Sequence, residues 1–179
     1  MHNVNTDALQ ETVAKAEHDP NALKQDVSLD GEWQTEDGQP QFRTTIPVPN
    51  GEPFIFEADF PPPMGGTGSA PNPLAYCFWG GLACYAMTYA QEAARQGVQL
   101  RSLKARARAV VDMSGALGVT DNVPVELIDW YLEVEADASA EQLAELKHFA
   151  DEHCPGVYCL RNPIQLNTHL DADPSSSDA

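Results

Sequence analysis

Along residues 6–17 the apolar side chains Leu9, Val13 and Ala16 recur at the spacing of one helix face. Thr6 is placed to cap that helix and Asp19-Pro20 to stop it. From Val27 to Asp59 the period shortens. Trp33, Phe42, Ile46, Phe54 and Phe56 are apolar positions set between turn signals at Gly31, Asp37-Gly38, Pro47, Pro49 and Asn50-Gly51, which predicts short strands. Phe60 to Pro71, dense in Pro and Gly, reads as an irregular loop, and loops of that length inside a domain are often functional.

Asn72 can cap, Pro73 suits a first helical position, and Gly97 closes the far end after Arg95, so the pattern predicts a helix over 73–96, about 36 Å long. Leu74 to Ala90 carries no charge over 17 residues. That is the lower limit for a membrane span, but Gly80-Gly81, two Cys and three Tyr favour a buried core helix. A helix without a polar face must be enclosed on all sides. A chain this short struggles to wrap one, and two copies packed together solve the problem, so a homodimer is expected.

Val98 to Met113 alternates and reads as a strand, as does Val125 to Ala136. Ser139 and Gln142 form a capping-box pattern opening a helix that ends near His153, and Pro155-Gly156 marks a break. Ile164 to Leu170 reads as a last strand. Without regular βαβ alternation the class is α+β, with an antiparallel sheet. The expected organisation is an N-terminal helical appendage over 1–24, one domain over 25–170, and a disordered acidic tail over 171–179.

Charge narrows the partners. With 10 Lys+Arg against 27 Asp+Glu the net charge is −17. That excludes a nucleic-acid backbone or an anionic membrane as the main partner, since both demand a basic face. Arg101, Lys104, Arg106 and Arg108 alternate with apolar residues and read as the solvated face of their strand. Few Lys in an acidic chain fits either a protein kept soluble in concentrated salt or an ordinary acidic cytosolic one. The first twenty residues lack an apolar signal core, so the expected location is cytoplasmic.

In that compartment Cys77, Cys84, Cys154 and Cys159 are thiols, redox centres or ligands before they are a disulfide framework. With His148 and His153 they have the residue types of a zinc site, but spacings of 7 and 5 are not those of zinc ribbons or fingers, and neither a metal nor another cofactor is expected. A G-x-S-x-G elbow, a P-loop and a G-x-G-x-x-G turn are all absent. Cys84, mid-helix, reads by itself as a small inert hydrophobe.

The run MGGTGSAPNPLAYCFWGGLACYAMTYAQEAARQG resembles the central segment of the OsmC/Ohr family of thiol-dependent peroxidases. There a Gly-rich loop and an Asn-Pro pair open a long buried helix carrying the reactive Cys. The segment ADEHCPGVY resembles the family's helix-ending Cys-Pro segment. The N-terminal helix, the DGEW strand and the closing RNPIQL strand are similar to the wider OsmC-like branch, so the likeness covers most of residues 6–170.

The resemblance implies an intertwined homodimer that reduces organic hydroperoxides in oxidative-stress defence, without a cofactor and with a thiol or dithiol reductant. Cys84 then corresponds to the attacking cysteine, oxidised to a sulfenic acid, and Cys154 to the resolving one. Arg43, by position, matches the arginine that lowers the thiol pKa. Phe78, Trp79 and Tyr85 would give the substrate an apolar setting. Many members carry Glu directly after the Asn-Pro pair to orient that arginine, whereas this chain has Leu74. Either another carboxylate, Glu57 or Asp59, holds Arg43, or the peroxidase activity is weakened or replaced. The alternative function is a non-catalytic protein of this fold that binds a small apolar ligand or senses oxidants at the dimer interface. Cys77 and Cys159 read as packing residues or as alternative resolving thiols.

Overall fold

A computed structural model describes residues 3–171, in the order α1 (Thr6–His18), β1 (Gly31–Trp33), β2 (Phe42–Ile46), β3 (Phe54–Ala58), α2 (Pro73–Arg95), β4 (Leu100–Val111), α3 (Met113–Ala116), β5 (Val125–Ala136), α4 (Ala140–His153) and α5 (Pro155–Arg161). The α+β class expected from the sequence holds, with two antiparallel sheets: β1-β2-β3 and β4-β5. Asn5, not Thr6, caps α1, its side chain accepting from the Ala8 N–H at 3.1 Å.

One body forms around α2. This helix packs against α4, α5 and β4, burying Tyr85, Tyr89 and Ala93 with Leu146, Ala150 and Val157. Both ends of α2 are fixed locally. Asn72 Oδ1 accepts from the Leu74 N–H at 2.9 Å, with Pro73 in the first turn. At the far end the Val98 N–H bonds the Ala93 carbonyl and the Gly97 N–H the Ala94 carbonyl, a Schellman closure that needs the left-handed φ of +71° at Gly97. The predicted capping box of α4 is present, Ser139 and Gln142 bonding each other's backbone N–H.

Enclosure of α2 on all sides is not found within one chain. Trp79 and Met87 are 61% and 62% exposed, and the buried residues all lie from Tyr85 onward. The β1-β2-β3 sheet meets α2 near its start, where the Tyr76 hydroxyl donates to the Glu57 carbonyl at 2.8 Å and the Phe56 and Tyr76 rings stand 5.4 Å apart. Trp33, Phe42, Phe54 and Ile55 of that sheet remain exposed.

Two further expectations need correction. Pro155-Gly156 does not simply break the chain: proline suits the first turn of a helix, and Pro155 opens α5. Residues 164–170 form no strand. Ile164, Leu166 and Leu170 are exposed, and the segment pairs with neither described sheet, although both have open edges. Most of the expected tail, residues 172–179, lies outside the described residues.

On the β4-β5 ribbon, Lys104, Arg106 and Arg108 stand opposite Glu133, Tyr131 and Asp129. Arg106 lies over the Tyr131 ring at 4.3 Å and Arg108 bonds Asp129 at 3.5 Å, so this face is as much paired as solvated.

Candidate active site

The site is built where α2 meets the corner between α4 and α5. Cys84 lies in the middle of α2, half-buried. Cys154 ends α4, its N–H bonding the Ala150 carbonyl at 3.1 Å, and its own carbonyl accepts from Tyr158 at 3.0 Å to begin α5. The following proline biases Cys154 away from helical backbone, and it sits at φ −70°, ψ 122°. One residue therefore closes one helix and starts the next. The corner places Cys154 Sγ 3.5 Å from Cys84 Sγ, with Cys154 only 1% exposed.

Gly156 keeps this approach free of crowding. A Cβ there would lie 3.2 Å from the Gly81 carbonyl oxygen and 3.3 Å from Cys84 Cβ, so α5 settles onto α2 at a glycine–glycine crossing. On the other flank Gly81 admits the Trp130 ring, which a Cβ would meet at 2.8 Å. Burial pushes the Cys84 thiol above its ordinary pKa. The Gly156 N–H opposes this, and Cys154 and Cys159 add to it.

Arg43 stands on β2 directly opposite Glu57 on β3 and forms two hydrogen bonds to Glu57 Oε1, at 2.9 and 2.6 Å. Of the two carboxylates that could hold it, Glu57 does. No hydrogen bond joins Arg43 to Cys84 among the described residues. Asp59 has a different task that sequence reasoning missed. Its Oδ2 accepts from the backbone N–H and hydroxyl of both Thr67 and Ser69, at 2.6–3.1 Å, and these bonds hold its carboxyl down at about 2. The Asp59 N–H in turn bonds the Pro71 carbonyl at 3.2 Å. One buried carboxylate thus pins the Gly-rich loop and delivers the chain to the Asn72 cap. An Asp at a strand end ahead of a Thr- and Ser-bearing loop was the available signal.

The three aromatic candidates are not gathered. Trp79 lines an apolar hollow of about 620 Å³ with Ile46, Phe54, Phe56 and Tyr76. Tyr85 is 4% exposed and belongs to the core, its hydroxyl donating to Asp151 Oδ1 at 2.6 Å. It borders a second cavity of about 450 Å³ with Trp130, Val157 and Leu160. Burial and Asp151 raise the Tyr85 hydroxyl's pKa. Burial also pushes the Asp151 carboxyl up, but Lys147 at 2.7 Å and the Tyr85 hydroxyl outweigh it and hold it below the usual range. Phe78 is half-buried, seven residues before Tyr85 and therefore on a similar face.

Among the described residues no group of three or more His, Cys, Asp or Glu side chains is placed to hold a metal ion, and no helix is long and apolar enough to cross a membrane. The profile of the family described as OsmC-like protein matches residues 66–169, more than half of the chain, including the second half of the Gly-rich loop, all of α2 and the Cys154 corner. The chain belongs to the OsmC family. No curated protein matches this OsmC sequence. Solved structures share its fold at low identity. An OsmC-like protein from Mycoplasma pneumoniae is 15% identical with a TM-score of 0.58, over 78% of this chain and 89% of that one. An OsmC-like protein of unknown function from Vibrio cholerae is 14% identical with a TM-score of 0.53, over 75% and 92%. An organic hydroperoxide resistance protein OsmC from Legionella pneumophila is 19% identical with a TM-score of 0.51, over 77% and 92%.

Proposed function

We propose that this OsmC protein is a cysteine-based peroxidase that reduces organic hydroperoxides. The carrying observation is the 3.5 Å approach of the Cys84 and Cys154 sulfurs across the helix corner. The Cys84 thiolate attacks the terminal peroxide oxygen; the O–O bond breaks, an alcohol leaves with a proton, and Cys84 becomes a sulfenic acid. Cys154 sulfur then displaces the hydroxyl as water, forming a Cys84–Cys154 disulfide. A thiol or dithiol reductant restores both. The apolar hollow beside Trp79 favours an organic substrate over hydrogen peroxide.

A raised thiol is a poor nucleophile, so the site needs a cation, and among the described residues of one chain no positive charge lowers the Cys84 thiol. Arg43, held by Glu57, is that cation, supplied by a second copy in an intertwined homodimer. The half-exposed α2 and the open aromatic face of β1-β2-β3 support this arrangement. Residues 25–170 make the domain and 1–24 the appendage, and the thiols suit the reducing cytoplasm.

One equivalent of cumene hydroperoxide is expected to give the Cys84–Cys154 disulfide on peptide mapping, and light scattering to give about twice the 19.5 kDa chain mass. An untouched Cys84 sinks the peroxidase. It would favour the second reading, a non-catalytic oxidant sensor or binder of a small apolar ligand, which has support in Leu74 and the raised thiol.

A further inference from the structure

Cys84 does not face one thiol alone. Gly156 is seated on Cys84, and Cys154 lies two residues before it while Cys159 lies three residues after, one turn along the same α5. The two flanking sulfurs have opposite environments: Cys154 is sealed, Cys159 is exposed. Cys159 acts through space to push the Cys84 thiol up, as a sulfur close by would. Cys154 and Cys159 themselves are five residues apart along a helix, a rise of about 7.5 Å, too far to bond each other without unwinding it. Cys77, two turns from Cys84 on α2, is about 10.5 Å away along the axis and cannot reach it either.

We propose that Cys159 is the exchange thiol through which the buried Cys84–Cys154 disulfide is reduced. The Cys159 thiolate attacks Cys84 Sγ. The Cys84–Cys154 bond breaks, its electron pair leaves on Cys154, and Cys154 takes up a proton in its sealed pocket. One disulfide replaces another, so no oxidant or reductant is consumed. The Cys84–Cys159 disulfide now presents an exposed sulfur. A thiolate of an external dithiol attacks Cys159 Sγ and releases Cys84; the second thiol of that reductant closes its own ring and releases Cys159. The placement suits this sequence because Cys154 and Cys159 lie on either side of Gly156 along the chain, and Gly156 is the residue of α5 that touches Cys84.

The relay rests on the reading that Cys84 and Cys154 cycle through a disulfide, so its test makes that disulfide without peroxide. Cys154 and Cys159 share the tryptic peptide between Lys147 and Arg161, and variants are needed to tell them apart. In Cys77→Ser/Cys154→Ser, diamide is expected to link Cys84 to Cys159 within the chain; linkage only between chains, or none, overturns the proposal. In wild-type protein oxidised with diamide, reduction by dihydrolipoic acid is expected to be about tenfold faster than in Cys159→Ser oxidised the same way. Equal rates overturn the relay even if the link forms. Hydroperoxide consumption is scored separately: its absence, with the diamide results as expected, removes the peroxidase and leaves the exchange thiol standing.

Discussion

The two sheets of this OsmC protein both carry apolar side chains and have different fates. The inner face of β4-β5 is closed by α2, where Trp130, Leu132 and Val134 pack against the core around Tyr89 and Leu146. The β1-β2-β3 sheet carries Trp33, Phe42, Phe54, Phe56 and Ile55, yet most of these stay open, while Phe56 meets α2 through Tyr76. A pattern of apolar residues therefore specifies a strand without specifying what covers it. In the first region the cover is the same chain. In the second, the cover we propose is a second copy.

The comparison breaks most readily in the closed body. Leu146 is fully buried on α4, and Leu146→Ala should cost about 3 kcal/mol of unfolding free energy in urea titration. A loss below about 1 kcal/mol would mean the body is loosely packed. Gly81→Ala pushes a methyl group into the Trp130 ring and should cost about 1–3 kcal/mol by the same measurement, with a changed tryptophan emission as its signature.

The open region should respond more weakly. The Asp59 carboxyl sits at about 2 in the folded chain, against about 3.9 unfolded. A depressed folded pKa contributes stability above the unfolded value, and that contribution is lost as the pH falls from about 4 through about 2. Acid titration of Asp59→Asn should therefore be shallower than wild type in that window; superimposable curves would remove Asp59 as the loop's tether. The smallest effect belongs to Arg43→Ala. Arg43 and Glu57 are 38% and 33% exposed, so solvent screens the pair and its loss should cost about 0.2–1 kcal/mol. The same substitution should nevertheless move the pH profile of Cys84 alkylation upward. An unchanged profile would dismiss Arg43 as the activating cation.

What could be read from the sequence was what is decided locally. The start of α2 follows from Asn72-Pro73, its end from Gly97, and α4 from Ser139 and Gln142, because each is settled within one turn of backbone. Cys84 and Cys154 were singled out as a pair only through resemblance, since 70 residues separate them and no periodicity connects them. The strand expected over 164–170 failed for the opposite reason: alternation gives a strand its faces, but a ladder needs an edge that sequence pattern does not locate. Gly81 and Gly156 carried no signal as sites. Their role is the absence of a side chain where two helices touch.

Cys154 closes α4 and opens α5, so its sulfur sits on a joint rather than on a strut. Force applied at the middle of a helix is shared by the hydrogen bonds on either side, but at a joint it becomes torque. Any bond drawn from Cys154 to Cys84 therefore acts as a lever on the angle between α4 and α5, and the Arg161 hydrogen bond to the Asp151 carbonyl at 3.2 Å is the strut that resists it.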